Sequence, residues 1–373
     1  MKKLLVASAV SAALAAPATV LAQQTRIPTL GQVLDASGIS VTGYIDAQYN
    51  WANRNLQTGF TDRVFDSQNN SFGLHQFGLT VAKQPKEGFG GLVNLTVGQD
   101  AQVIHSFPES VGGAASSMFD LTQAYGSYSA GAMTVIAGKF TTLAGTEVIA
   151  STGNTTISRS MLFGAVPFTH TGVRASYAPS DTITVYGGLN NGWDQVTDAN
   201  RQKTLEIGAT LNPTKPLTIT VSGYFGNDAA TPPGTQPSAV QGERDLIDVV
   251  ANYIVSNSLS LGAELLTFRQ DVPGGTTQKY DGAALYFTMM LDPKWRGVVR
   301  GEYFDDKNGF HFATANGTKY YEGTLCLSYL PNTSVELRTE VRLDKANNAV
   351  FVDSNGSTSK TLMTFGLQGL YKF

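Results

Sequence analysis

Disulfide chemistry has no place in this sequence, because Cys326 is its only cysteine; a disulfide framework, a CxxC redox pair and a haem-attachment motif are all excluded. Histidine is scarce too. His75, His105, His170 and His311 are scattered without HExxH or another metal-ligand spacing, so neither a metal nor a cofactor is expected. No GxSxG nucleophile turn and no phosphate-cradling GxxxxGKS occurs. A lipid-face hydrolase would need a serine and a histidine together near one rim, whereas His170 falls on the opposite parity, so no enzyme is expected. Basic clusters are missing as well. Lys2 and Lys3 belong to the leader described below, and without them 24 basic residues face 29 acidic ones, a net charge of −5 that argues against a nucleic-acid partner. Nor is there a run of about twenty apolar residues, so no transmembrane helix is available.

What the sequence does have begins with MKKLLVASAVSAALAAPATVLA. Two lysines precede an apolar run from Leu4 to Ala16, with Val20 and Ala22 at the small-residue positions of a cleavage site; residues 1–22 are expected to be a secretory signal peptide. In residues 23–37, Ile27, Leu30, Val33 and Leu34 are spaced along one face of a short helix opening after Pro28. This segment is expected to be a periplasmic appendage, or else a plug inside a lumen. Residues 38–373 form the main domain, and the chain's 39 glycines, 15 tyrosines and 19 phenylalanines suit strands and turns.

From Ile39 the period is two. Ile39, Val41, Gly43, Ile45, Ala47, Tyr49 and Trp51 alternate with Ser40, Thr42, Tyr44, Asp46, Gln48 and Asn50. The same pattern recurs in Ile183 to Leu189, Thr204 to Leu211, Leu217 to Phe225, Leu259 to Phe268, Ala283 to Met289 and Val335 to Leu343. Connections alternate strictly between short, as at Ala130 to Gly131 or Asp292 to Lys294, and long, as at Asn53 to Ser71 or Thr141 to Pro167. Seven short turns and eight long loops imply about sixteen strands, an all-β transmembrane antiparallel β-barrel with short periplasmic turns and long extracellular loops. A soluble sandwich has no reason to sort its loops this way, and an open sheet in hydrocarbon would leave edge amides unpaired. Tyr177, Tyr253, Trp295, Tyr329 and Phe373 sit beside short turns on the lipid parity, as a periplasmic aromatic girdle; Tyr49 and Trp51 belong to the outer one. Asp46, Lys139, Arg174, Glu206, Asp248, Glu264, Arg300, Glu302 and Glu322 fall on the other parity, so the interior is wet and charged.

The last strand, TLMTFGLQGLYKF, resembles the closing strand of outer-membrane barrels, whose terminal aromatic is read by assembly machinery; the resemblance makes Tyr371 and Phe373 the assembly signal. GKFTTLAGTEV, SRSMLF, PFTHTGVRASY and GGLNNGWDQVTDAN together resemble the OmpL-like β-barrel porins of Gram-negative bacteria, a similarity that runs from DASGISVTGYIDAQY to Phe373. The resemblance implies an outer-membrane pore, passing small hydrophilic solutes or ions without cofactor, with trimerisation as in many porins. Its surroundings would be outer-membrane lipid and lipopolysaccharide, and the barrel assembly machinery would insert it. In sixteen-stranded porins the third outer loop folds inward and narrows the channel. By that resemblance Glu147 and Arg159, with Lys139, His170 and Arg174 on the flanking walls, are the constriction candidates. The facing wall is a charge ladder of Arg300, Glu302, Glu336, Arg338, Glu340 and Arg342, able to set up a transverse field. The alternative for Glu147 or Arg159 is a salt bridge that merely pins the loop. The alternative for the whole chain is a structural or adhesive barrel with a blocked lumen.

Overall fold

Along Val335–Ala346 every second side chain is charged and buried: Glu336, Arg338, Glu340, Arg342 and Asp344 are each under 5% exposed, while Leu337, Val341 and Leu343 are 45–51% exposed. A soluble sheet buries its oil. This one buries its charges and shows its oil, so the polar face lines an enclosed lumen and the apolar face meets hydrocarbon. An ionisable group turned outward at mid-membrane would cost about 2–4 kcal/mol, which is why the alternation is kept so strictly.

The computed structural model describes residues 29–56, 59–110, 116–229 and 241–373. An amino-terminal unit ends at Ser37 and contains α1 (Leu30–Ser37). Thr29 opens α1 with a reciprocal cap: Gln32 N donates to Thr29 Oγ1 at 3.3 Å and Thr29 N donates to Gln32 Oε1 at 2.9 Å. The expected signal peptide, 1–22, and the residues from Gln23 to Pro28 lie outside the described residues.

The second unit, Gly38–Phe373, is a closed antiparallel barrel. Its strands are β1 (Ser40–Ala52), β2 (Ser71–Lys83), β3 (Gly88–Val97), β4 (Phe119–Ala130), β5 (Met133–Thr141), β6 (Thr169–Ser180), β7 (Ile183–Asn190) and β8 (Thr204–Thr214). Then follow β9 (Leu217–Ala229), β10 (Gln241–Ile254), β11 (Leu259–Gln270), β12 (Gln278–Asp292), β13 (Trp295–Asp306), β14 (Thr318–Tyr329) and β15 (Val335–Ala346). A small ribbon, β16 (Phe351–Val352) and β17 (Thr358–Ser359), decorates the last long loop, and β18 (Thr361–Lys372) closes the wall, sixteen barrel strands in all. Two short helices sit in long loops: α2 (Ala101–Ile104) in the second and α3 (Met161–Gly164) in the third.

Closure is made by β1 against β18, from Tyr44↔Lys372 to Ala52↔Thr364. Phe373 extends the pairing, since its N–H and C=O exchange 2.9 Å bonds with those of Gly43. Its ring lies over Gly43, where a Cβ would come within 2.5 Å of it, so only glycine lets the aromatic lie flat there. Inside the seam, Gln368 Nε2 reaches both Asp46 oxygens at 2.9 and 3.0 Å. Of the expected girdle, Tyr177, Tyr253, Trp295 and Phe373 are outward and 39–54% exposed, while Tyr329 is half-buried with its ring 4.8 Å from that of Trp295.

The barrel is longer on one side. β3, β5 and β7 have 10, 9 and 8 residues, but β10 and β12 have 14 and 15. Apolar periodicity places the start of β12 at Ala283, whereas the strand begins at Gln278. The added turn of wall carries outward charges such as Asp281, paired with Lys307, and Arg269, paired with Asp271 at 2.7 Å. Hydrogen-bonded pairing continues above the oily band, where parity no longer tracks hydrophobicity.

Candidate functional site

Residues 142–168, between β5 and β6, meet side chains of the lumen wall along their whole length, and β10 to β15 hold them by the backbone. Four wall carboxylates accept loop N–H groups. Asp248 takes Gly145 N at 2.9 Å, Glu264 takes Thr146 N at 2.8 Å, Glu340 takes Ile157 N and Ser158 N at 2.7 and 3.0 Å, and Glu302 takes Met161 N and Leu162 N at 2.9 and 2.8 Å. Wall donors hold the carbonyls. Arg300 donates to Ser158 O at 2.9 Å, Arg338 to Asn154 O and Thr156 O at 2.6 and 3.0 Å, Arg342 to Arg159 O at 2.6 Å, and Tyr280 Oη to Ala165 O at 2.7 Å. A loop taken out of bulk water must find a partner for each backbone group, and the charged wall supplies them.

This geometry gives the candidate residues distinct jobs. Glu147 accepts from Arg300 Nη1 at 2.8 Å and from Ser160 N at 2.6 Å, so it pins the loop to the wall as an ion pair. Arg159 is 1% exposed, donates to Val148 O, Ile157 O and Ile149 O at 3.0–3.1 Å, and lies 5.4 and 5.7 Å from the ring centroids of Phe65 and Phe163. It holds the loop to itself. Lys139 faces Asp120 at 3.4 Å, and Arg174 is paired with Glu206 and stacked 4.3 Å over Phe140. His170 is fully buried, with its ring stacked 4.6 Å from Tyr224. In the ladder, Arg300, Glu302, Arg338, Glu340 and Arg342 all touch the loop backbone, while Glu336 is held by Arg296, Arg338 and Lys372.

Apolar packing reinforces the hold. Met161, Leu162, Ala165 and Val166 of the loop join inward-facing Tyr224, Phe268, Tyr280, Phe304 and Tyr320 in one buried cluster. A second cluster joins Phe65 of the first loop, Ile104 of α2, and Ile149, Phe163 and Phe168 of the third. Opposite the clamp lies a cavity of about 510 Å³, bounded by the loop on one side and by β2, β3, β4, β8 and β9 on the other. Charge has left its lining almost completely: among the described residues Glu147 and Tyr44 are the only titratable ones there, against Thr80, Asn94, Thr122, Gln123, Thr210 and Thr220.

The sequence model of the family described as "Putative beta-barrel porin-2, OmpL-like" matches residues 38–373. The chain belongs to this family of OmpL-like porins. Its fold is that of solved outer-membrane channels. An anion-selective porin from Comamonas acidovorans is 12% identical with a TM-score of 0.64, over 90% of this chain and 99% of that one. OmpT of Vibrio cholerae in its trimer form is 12% identical with a TM-score of 0.62 over the same shares, and the channel DcaP of Acinetobacter baumannii 13% with 0.61, over 90% and 97%. No curated protein matches the sequence. The porin is an outer-membrane protein of the Gram-negative type.

Two of the short motifs on which the resemblance rests have structural work in this chain. In SRS, Ser158 Oγ accepts from Arg300 at 3.0 Å, and Ser160 Oγ caps α3 by accepting from Phe163 N at 3.1 Å. In GWD, Asp194 Oδ1 accepts from Phe168 N and Thr169 N at 3.0 and 2.8 Å, fixing the point where the third loop re-enters β6. Burial pushes the Asp194 carboxyl up to about 7, against these two hydrogen bonds and the pull of Lys139. Trp193 beside it packs on Phe268, 5.6 Å between centroids. Gln76, which bonds Asp100, Ile149 O and Ser151 N, and Tyr224, which bonds Thr142 and Leu143 N, hold the loop from the other walls. Sequence reasoning missed both; their place on the lumen parity was the one available signal.

Proposed function

We propose that this porin gives small hydrophilic solutes passive passage across the outer membrane, without catalysis or cofactor, along the side of the lumen that the third loop leaves free. One observation carries the reading. The loop is gripped by six carboxylate-to-amide bonds on the β10–β15 side, and the cavity of about 510 Å³ lies opposite them. The loop is the narrowing element, and its position is set by the wall. Assembly as a homotrimer in lipid and lipopolysaccharide is supported by the likeness to OmpT, whose solved form is a trimer. The Phe373–Gly43 pair supports a role for the last strand in insertion by assembly machinery.

A blocked lumen is the second reading, favoured by the apolar cluster of Phe65, Ile104, Ile149, Phe163 and Phe168 that ties three outer loops together. Single-channel conductance of the refolded mature chain in a planar bilayer, under a salt gradient, decides between them. Steady ohmic openings are expected. A folded barrel without conductance rejects the porin reading and turns attention to the outer loops as binding surfaces.

A further inference from the structure

We infer that the solute this passage selects is a neutral, polyhydroxylated molecule of sugar-like chemistry. The inference rests on the pore reading and names its cargo. The wall of the cavity is built from groups that both donate and accept. Asn94 Nδ2 donates to Thr80 Oγ1 at 2.8 Å, Thr96 and Thr122 share a hydroxyl bond of 2.7 Å, and Thr210 and Thr220 share one of 3.1 Å. When two hydroxyls pair, one proton bridges them and the other is left over, together with unused lone pairs; each pair therefore still offers a donor and an acceptor. Thr80, Asn94, Thr210 and Thr220 are half-buried and line the cavity.

The facing side comes from the loop and is apolar, with Leu143, Val148, Ile149 and Val166. The cavity thus has a hydroxyl-and-amide wall opposite an oily one. A sugar-like ring has the same two characters, hydroxyls around its edge and C–H groups on its faces. It can exchange its water hydrogen bonds for wall hydrogen bonds nearly one for one while burying its apolar face. An ion of the same size cannot, because no unpaired opposite charge on the wall replaces its hydration. The one carboxylate on the lining, Glu147, is already held by Arg300 and Ser160 N. At about 510 Å³ the cavity is within the range of small-molecule sites.

The test is osmotic swelling of proteoliposomes holding the full mature chain, in isosmotic neutral hexose, glucosamine or gluconate, three probes of one size and different charge. Potassium chloride conductance of the same preparation is recorded alongside. Hexose is expected to enter several-fold faster than either charged probe. Conductance with hexose entry no faster than that of glucosamine and gluconate overturns the inference and leaves the pore reading standing; absence of both conductance and swelling overturns the pore reading itself. Thr210→Val with Thr220→Val removes one hydroxyl pair at nearly constant volume and is expected to slow hexose entry about three- to tenfold relative to gluconate. A folded double variant with an unchanged ratio overturns the role of the hydroxyl wall. Should that variant fail to fold, the three-probe comparison on the wild-type chain decides alone.

Discussion

The two sides of the lumen hold polar residues for opposite purposes. On β10 to β15 buried charges such as Asp248, Glu264, Arg300, Glu302, Arg338 and Glu340 hold the third loop; on β2 to β4 and β8 to β9 the side chains that border the cavity are neutral, and charges there, such as Asp120 and Glu206, are paired away from it. The lesson is that a charge on the lumen parity is not thereby a charge on the solute's path. Charge substitutions on the clamped side are expected to change where the loop lies, and those on the open side to change what passes.

The sharpest way to break this contrast is Arg300→Met. It leaves Glu147 and Glu322 without their shared cation, and an unpaired buried charge costs about 3–5 kcal/mol. The loop is expected to come away from the wall, giving larger and noisier single-channel currents and new protease cuts within 142–168; quiet wild-type currents and an uncut loop would end the clamp argument. Next in size is Glu340→Ala, which strips the acceptor from Ile157 N and Ser158 N at about 1–3 kcal/mol apiece. Faster amide hydrogen exchange is expected at those two positions, with none of it in Asn94→Ala on the open side.

A smaller effect sharpens the other half. Asn94→Asp places a new charge on the cavity wall and is expected to move the reversal potential toward cation preference. Glu302→Gln, on the clamped wall, is expected to move it less, and an equal shift from both would erase the distinction. Smallest is the response of Asp194 to pH. Its folded carboxyl titrates near 7, above its ordinary value of 3.8. The stability it lends the loop junction is therefore full below that ordinary value and is lost as pH rises through about 7. Trp193 fluorescence in a W51F/W295F background should change across pH 6–8, and Asp194→Asn should flatten the curve.

How far the sequence revealed this arrangement differs between wall and loop. The wall was legible because hydrocarbon imposes a period of two with little tolerance: Leu337, Val341 and Leu343 could face lipid only if Arg338, Glu340 and Arg342 faced the lumen. Strand ends were less legible, as at Gln278, where pairing outlasts the oily band. The clamp was hidden for a different reason. Glu302 and Glu340 bind amides, and amides are present at every residue, so no side chain at Ile157 or Leu162 advertises the contact. Arg159 looks the same in sequence whether it faces a solute or, as here, the carbonyls of its own loop.

Because the wall grips the third loop by its main chain, the path of the loop and the character of its surface are separately inherited. Leu143 makes its wall bond, to Tyr224, through its backbone N–H, and Val148, an exposed side chain on the cavity lining, binds Arg159 through its carbonyl. Exchanging those side chains would rewrite the lining without moving the loop that carries it. Such a barrel behaves as a fixed frame with a replaceable insert, in which a new lining needs few substitutions and no new architecture.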